Sequence, residues 1–164
     1  MPQEQFNTGG YVVHMLYLFL PLIAGWIHVS VVKLKRSEKI ELFLIYYLVI
    51  AVGVQALFGG YLQIFHSEYV SQYVGWKNTP FLRELGMANI TFGVLAISSI
   101  WIRGHWRTAA GVAYGLFLWL AAIGHIFSYF ETEVTGPGNI GPTLWTDILI
   151  PVALFILLGM RKKV

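Results

Sequence analysis

Five stretches of this chain, residues 11–32, 40–65, 82–102, 108–130 and 143–160, are almost free of charge and long enough to cross a bilayer as helices. No other feature limits the fold as strongly. Inside hydrocarbon each backbone polar group has to be satisfied within protein, which leaves helices and closed barrels as the spanning structures. The run lengths are helical, so the chain reads as an all-α integral membrane bundle of about five transmembrane helices, a single domain over residues 1–164. With 57% hydrophobic and 12% charged residues and a mean hydropathy of +0.65, little remains from which to build a soluble domain. The fifth run is the shortest and contains Pro151, so a half-span is its alternative.

Cysteine is absent, which removes disulfides, thiolate metal sites and cysteine nucleophiles. The opening "MPQEQFNTGG" carries Glu4 and no Lys or Arg, unlike a secretory signal peptide, and is expected to stay on the mature chain. The basic residues sort by connection. Lys33, Lys35, Arg36, Lys39, Arg103, Arg107, Arg161, Lys162 and Lys163 fall in the first connection, the third connection or the tail, on one side of a five-span bundle. Only Lys77 and Arg83 fall opposite, with Glu4, Glu68, Glu131 and Glu133. The positive-inside rule then puts the amino terminus outside and the carboxyl terminus in the cytoplasm. Orientation accounts for the net charge of +3, so nucleic acid is not an expected partner. The lipid bilayer is, with a homo-oligomer or partner membrane subunits as open alternatives.

Helices in lipid associate through close packing and polar contacts, so small and polar residues mark the inner faces. At helical spacing the fourth run gathers Gly111, Tyr114, Leu118, Ala121, Ala122, His125 and Ser128 on one side and Leu116, Leu120, Ile123 and Phe127 opposite. The first run shows His14, Tyr17, Pro21, Gly25 and His28, and the second Gln55, Gly59, Gln63 and His66. The third carries two stripes, Glu84, Ala88, Thr91 and Ser98 beside Gly86, Asn89, Gly93 and Ala96, which predicts a central helix packed on two sides.

Depth is the second coordinate. His14, Gln63, Glu84, His125 and Asp147 each lie within the turn or two of their run nearest the outer surface, and Asn89 lies roughly 7 to 8 Å deeper than Glu84 at the rise of an α-helix. Asp147 stands out, because an isolated carboxylate inside a span is costly and normally functional. Pro151, four residues on, has no N–H for the carbonyl of residue 147. These residues also have plainer readings. Glu84 suits an interfacial helix start stabilised by the helix dipole, Arg83 a snorkelling anchor, and Asn89, His125, His14 and Gln63 bonds between helices. Trp76, Trp101, Trp106 and Trp145 read as interfacial aromatic anchors, "GVAYG" as a helix contact, and "GPGNIGP" as a turn-rich connection in which Asn139 caps or lines the outer mouth.

"GWKNTPFLRELGMANITFGVLAI", "GHIFSYFE", "GPGNIGP" and "WTDILIP" together resemble an uncharacterised family of small bacterial and archaeal membrane proteins. Its members look like a Gly-Trp pair, a Ser-Pro-Phe-Gln-x-Glu-x-Gly-x-Ala-Asn stretch, a Gly-His pair and Pro-Gly-Asn before an Asp-Ile-Leu-Ile-Pro helix. The resemblance covers about residues 55–160 and marks Glu84, Asn89, His125, Asn139, Asp147 and Pro151. Thr79 and Leu82 stand where the family tends to have Ser and Gln, and a family Gly-His pair falls near Gln63. The family carries no activity to transfer.

Three functions follow as expectations. The first is a polar cavity near the outer face, formed by Glu84, Asn89, His125, Asp147, Gln63 and His14, that binds a divalent metal or a small polar or amphiphilic ligand. Its metal donors would be Glu84, His125 and Asp147, a set that suits Zn, Mn or Fe. The second is a membrane enzyme using Glu84 and Asp147 as acid and base on a lipid-like substrate. The third is a non-catalytic subunit of a larger membrane complex, its polar cluster only locking the helices.

Overall fold

A computed structural model describes residues 3–161, with side chains from residue 10 onward. The side chain of Glu4, and Lys162 and Lys163 altogether, lie outside the described residues. The helices are α1 (Gln3–Val31), α2 (Arg36–Tyr46), a π-helical segment (Tyr47–Val54), α3 (Gln55–Phe65), α4 (Ser67–Val74), α5 (Pro80–Ser98), α6 (His105–Thr132) and α7 (Pro142–Met160). α2, the π segment and α3 run on without a break, which leaves five helices long and apolar enough to cross a membrane. α7 has 19 residues, a length of about 28 Å at the α-helical rise. It continues through Pro151 and is therefore a full span rather than half of one.

Outward faces are predominantly apolar. Phe19, Trp26, Phe58, Leu120 and Phe127 are all exposed, a surface that water would not tolerate and hydrocarbon does. On α6 the inward face is Gly111, Tyr114, Leu118, Ala122 and His125, with Leu116 and Ile123 opposite, as the spacing predicts. Pro21 and Gly25 are buried on α1. The Tyr47 hydroxyl donates to the Leu18 carbonyl at 3.2 Å, one residue from the carbonyl that Pro21 leaves without its helical donor.

The second span departs from its expected face. A π-helix bonds i to i+5, so its residues advance less per step and the face below it is rotated against the face above. Tyr47, Leu48, Ala51, Val52 and Gly53 are all buried within the π segment. Beyond it the packed line runs through Ala56 and Gly60 instead of Gly59, beside which a Cβ would meet nothing within 4 Å.

This span, and not the third, is central: its parts pack against α1, α5, α6 and α7. α5 buries Leu82 and the stripe of Gly86, Asn89, Gly93 and Ala96, while Glu84 and Thr91 of its other stripe are exposed. The α3–α5 seam is as close as backbones come. A Cβ on Gly60 would lie 2.7 Å from the Gly86 carbonyl oxygen, one on Gly86 2.9 Å from that of Gly60, and one on Gly93 3.1 Å from that of Gly53. Only glycine admits this approach, the membrane form of small-residue packing.

The end carrying the Lys- and Arg-rich connections is closed by charge. Arg107 is buried, donating from Nε to the Ser99 carbonyl at 2.9 Å and from Nη1 to Glu41 Oε2 at 2.8 Å. Arg161 pairs with the other oxygen of Glu41 and donates to Thr108 Oγ1 at 2.7 Å. One carboxylate thus joins α2, α6 and the end of α7. Arg107 and Arg161, read from sequence as marks of orientation, are structural ties as well.

Candidate functional site

At the opposite end, two connections fold over the start of α7 and the last turns of α6. α6 ends at Glu133, in the left-handed region at φ 52°, and the loop that follows turns on Gly136. The Asn139 and Ile140 amides donate to the Gly136 carbonyl at 2.8 and 3.2 Å. Gly138 N–H donates to the Tyr73 carbonyl at 3.0 Å, which pins the loop to α4. This turn drives Asn139 inward until it has no exposed surface.

Asn139 then fixes its neighbour. Its Nδ2 donates to the carbonyls of Val134 (2.8 Å) and His125 (3.3 Å), so its Oδ1 is the acceptor facing His125 Nδ1 at 2.7 Å. Carbonyl oxygens only accept, so the His125 Nδ1 carries hydrogen and the other nitrogen is left for chemistry. That nitrogen, Nε2, lies 3.7 Å from Asp147 Oδ2, with the two side chains 8% and 5% exposed. The gap exceeds a direct hydrogen bond. Among the described residues the Asp147 carboxylate has His125 as its ionisable partner and no hydrogen bond. Trp76 covers the imidazole. Gly75, at φ 86°, ends α4 and turns the chain so that the indole stacks on His125 with centroids 5.3 Å apart and planes at 23°, while its N–H donates to Ser128 Oγ at 3.2 Å.

The other residues expected in the site are placed as follows. His14, on α1, packs against α7 at Thr146, the residue before Asp147, and has both nitrogens engaged: Nδ1 lies 3.0 Å from Thr146 Oγ1 and Nε2 3.3 Å from Thr143 Oγ1. The Thr146 hydroxyl donates to the Thr143 carbonyl at 2.8 Å, so it accepts from His14 Nδ1–H, and Nε2 accepts from Thr143. Gln63 and Asn89 bond each other across the α3–α5 seam at 2.8 Å. Glu84 is exposed at the start of α5, with no bond to either member of the His125 and Asp147 pair. Among the described residues no group of three His, Cys, Asp or Glu side chains is arranged to hold a metal ion. The structure therefore brings together His125, Asp147 and Asn139, sets His14 beside them, and leaves Glu84 and the Gln63–Asn89 bond elsewhere.

Trp76, read from sequence as an interfacial anchor, is instead a wall of this site. Its Gly-Trp pair carried the signal, since a glycine that must turn left-handed aims the next side chain. Trp101 and Trp145 do lie exposed at span ends.

Residues 11–164 match the Family of unknown function (DUF6790). The chain belongs to that family. As a DUF6790 protein it is an integral membrane protein with five spans, and the match takes in the first span and His14 as well as everything from Gln55 onward. No curated protein and no solved structure matches the chain.

Proposed function

We propose that this protein binds a small ligand carrying positive charge or a donor hydrogen between His125 Nε2 and the Asp147 carboxylate, on the exoplasmic side of a prokaryotic plasma membrane. One observation carries the reading: a carboxylate buried inside a span lies 3.7 Å from an imidazole nitrogen whose ring is already oriented by Asn139, and no hydrogen bond satisfies it. Retention of such a group is explained by an occupant that supplies what the protein does not. The orientation rests on the clustering of Lys and Arg at the far end of the bundle.

A divalent cation of the Zn, Mn or Fe class is the form of occupant that Asn139 favours, because metal-bound imidazoles characteristically donate their second N–H to an oxygen that fixes ring and tautomer. With two side-chain donors the metal would keep open positions for water or a small molecule. The enzyme reading lacks its second carboxylate here, since Glu84 faces outward, and His14 with its two threonines fits the role of a helix tie.

Titration of the purified full chain by calorimetry with Zn²⁺, Mn²⁺ and ethanolamine, with metal content measured alongside, tests the reading. At least one probe should bind with unit stoichiometry, bind at least roughly tenfold more weakly to Asp147→Asn and His125→Ala, and bind unchanged to Glu84→Gln. Silence from all three probes, or binding that survives Asp147→Asn, overturns it.

A further inference from the structure

We propose that the cleft at the Lys- and Arg-rich end of the bundle seats the phosphate headgroup of an anionic lipid. The cleft has a volume of about 470 Å³ and is lined by Lys35, Arg36, Ser37, Ile40 and Met160. It lies where the connection before α2 passes the last residue of α7, well away from His125 and Asp147.

Lys35 and Arg36 have no ion pair among the described residues, and the two acids nearest in sequence are engaged by other groups. Glu38 accepts from the Lys35 backbone N–H at 2.7 Å, and Glu41 is claimed by both Arg107 and Arg161. Two free cations and the Ser37 hydroxyl thus face one small volume. Its remaining walls, Ile40 and Met160, are apolar and lie at span ends, and Ile156, one turn before Met160, is exposed on the lipid-facing surface. A soluble anion would use the cations alone, whereas a phospholipid uses the cations for its phosphate and the apolar walls for its first methylenes. Basic pockets between spans are suited to such headgroups.

The test uses the full chain in detergent, titrated with dioleoylphosphatidylglycerol, with the matching phosphatidylcholine and with inorganic phosphate, and read by native mass spectrometry. Phosphatidylglycerol should bind roughly tenfold or more tightly than phosphatidylcholine. The double variant Lys35→Gln/Arg36→Gln should weaken it roughly 25-fold, at about fivefold per cation near the surface. Lys33→Gln/Lys39→Gln removes equal charge outside the cleft and should cost less than about threefold. Ser37→Trp keeps the charge but fills the volume, and should reduce binding roughly tenfold. Equal losses in the two double variants would reduce the effect to diffuse attraction and overturn the proposal. So would indifference to Ser37→Trp, the absence of headgroup preference, or inorganic phosphate binding with the same dependence on Lys35 and Arg36. All the substituted side chains are exposed, so loss of folding does not stand in for loss of binding.

Discussion

Gly59 and Gly60 are neighbours in the sequence and opposites in the structure, and substituting each by alanine tests the packing of the second span. At Gly60 the new methyl would lie 2.7 Å from the Gly86 carbonyl oxygen and 2.9 Å from Ile90 Cγ1, about 0.7 Å short of the 3.4 Å at which ordinary contact begins. The first obstacle is backbone, so α3 and α5 have to separate. Overpacking of this kind costs about 1–3 kcal/mol. Three residues further along each helix, the Asn89–Gln63 hydrogen bond at 2.8 Å would be stretched to the limit of such bonds, and its loss adds about 0.6 kcal/mol in a membrane protein. With alanine's better helix propensity returning up to about 1 kcal/mol, Gly60→Ala is expected to destabilise by about 1–3 kcal/mol. At Gly59 the methyl meets nothing within 4 Å, and alanine's better helix propensity makes that substitution neutral or stabilising by up to about 1 kcal/mol. Gly86→Ala should resemble Gly60→Ala. Since one separation relieves both clashes, the double variant should cost at least about 1 kcal/mol less than the sum of the singles. Reversible unfolding in bicelles with increasing dodecyl sulfate measures all four. If Gly60→Ala unfolds with the wild type, or Gly59→Ala is as destabilising as Gly60→Ala, the glycine seam is not what holds these spans.

Asn139→Ala strands the His125 Nδ1–H and two backbone carbonyls in the interior, and should cost about 2–3 kcal/mol in the same unfolding assay while weakening any ligand held by Asp147. Arg107→Gln should destabilise by about 2 kcal/mol, less than the 3–5 kcal/mol typical of breaking a fully buried pair, because Glu41 is 34% exposed and keeps Arg161. Outside the spans, the hydrogen bonds from Asn78 first and Gln72 second hold the Glu68 carboxyl below the usual glutamate range. Their contribution is thus present above the unfolded pKa and fades as pH falls through the lower folded value. In Asn78→Ala the Glu68 titration, followed by NMR of its side-chain carboxyl, should move up toward the ordinary range; a curve that stays in place would refute the assignment.

Span number and the faces of α1 and α6 were legible because those helices are regular and a 3.6-residue period maps sequence onto surface. His125 and Asp147 were legible for another reason: each is too polar to be placed in a span without a partner. What escaped the sequence depended on geometry that periodicity does not carry. The expected line of Gln55, Gly59 and Gln63 lies in α3 past the π segment and missed by its choice of face: Gln63 reaches Asn89, but the close approach to α5 runs through Ala56 and Gly60. Trp76 reaches His125 through a left-handed turn at Gly75 after a short helix, α4, hidden in a polar connection. In sequence Arg107 is one more cation of a basic connection; what sets it apart is Glu41, 66 positions away, which the fold brings beside it. Glu84 shows the reverse, a charged residue whose place in a small and polar stripe suggested an interior that α5 does not give it.

The eight π-helical residues have a consequence for how the second span responds to changes in length. Its two halves are indexed separately, one by the Glu41 anchor and the other by the Gly60 contact, and the wide turns between them take up the difference. Deleting a single residue there would let those turns tighten toward an α-helix, and the larger rotation per residue would offset the residue lost, so the two halves would keep their facing. The stretch thus absorbs a length change of one residue that a regular helix would turn into a rotation of about 100°, and Gly60 would go on facing α5.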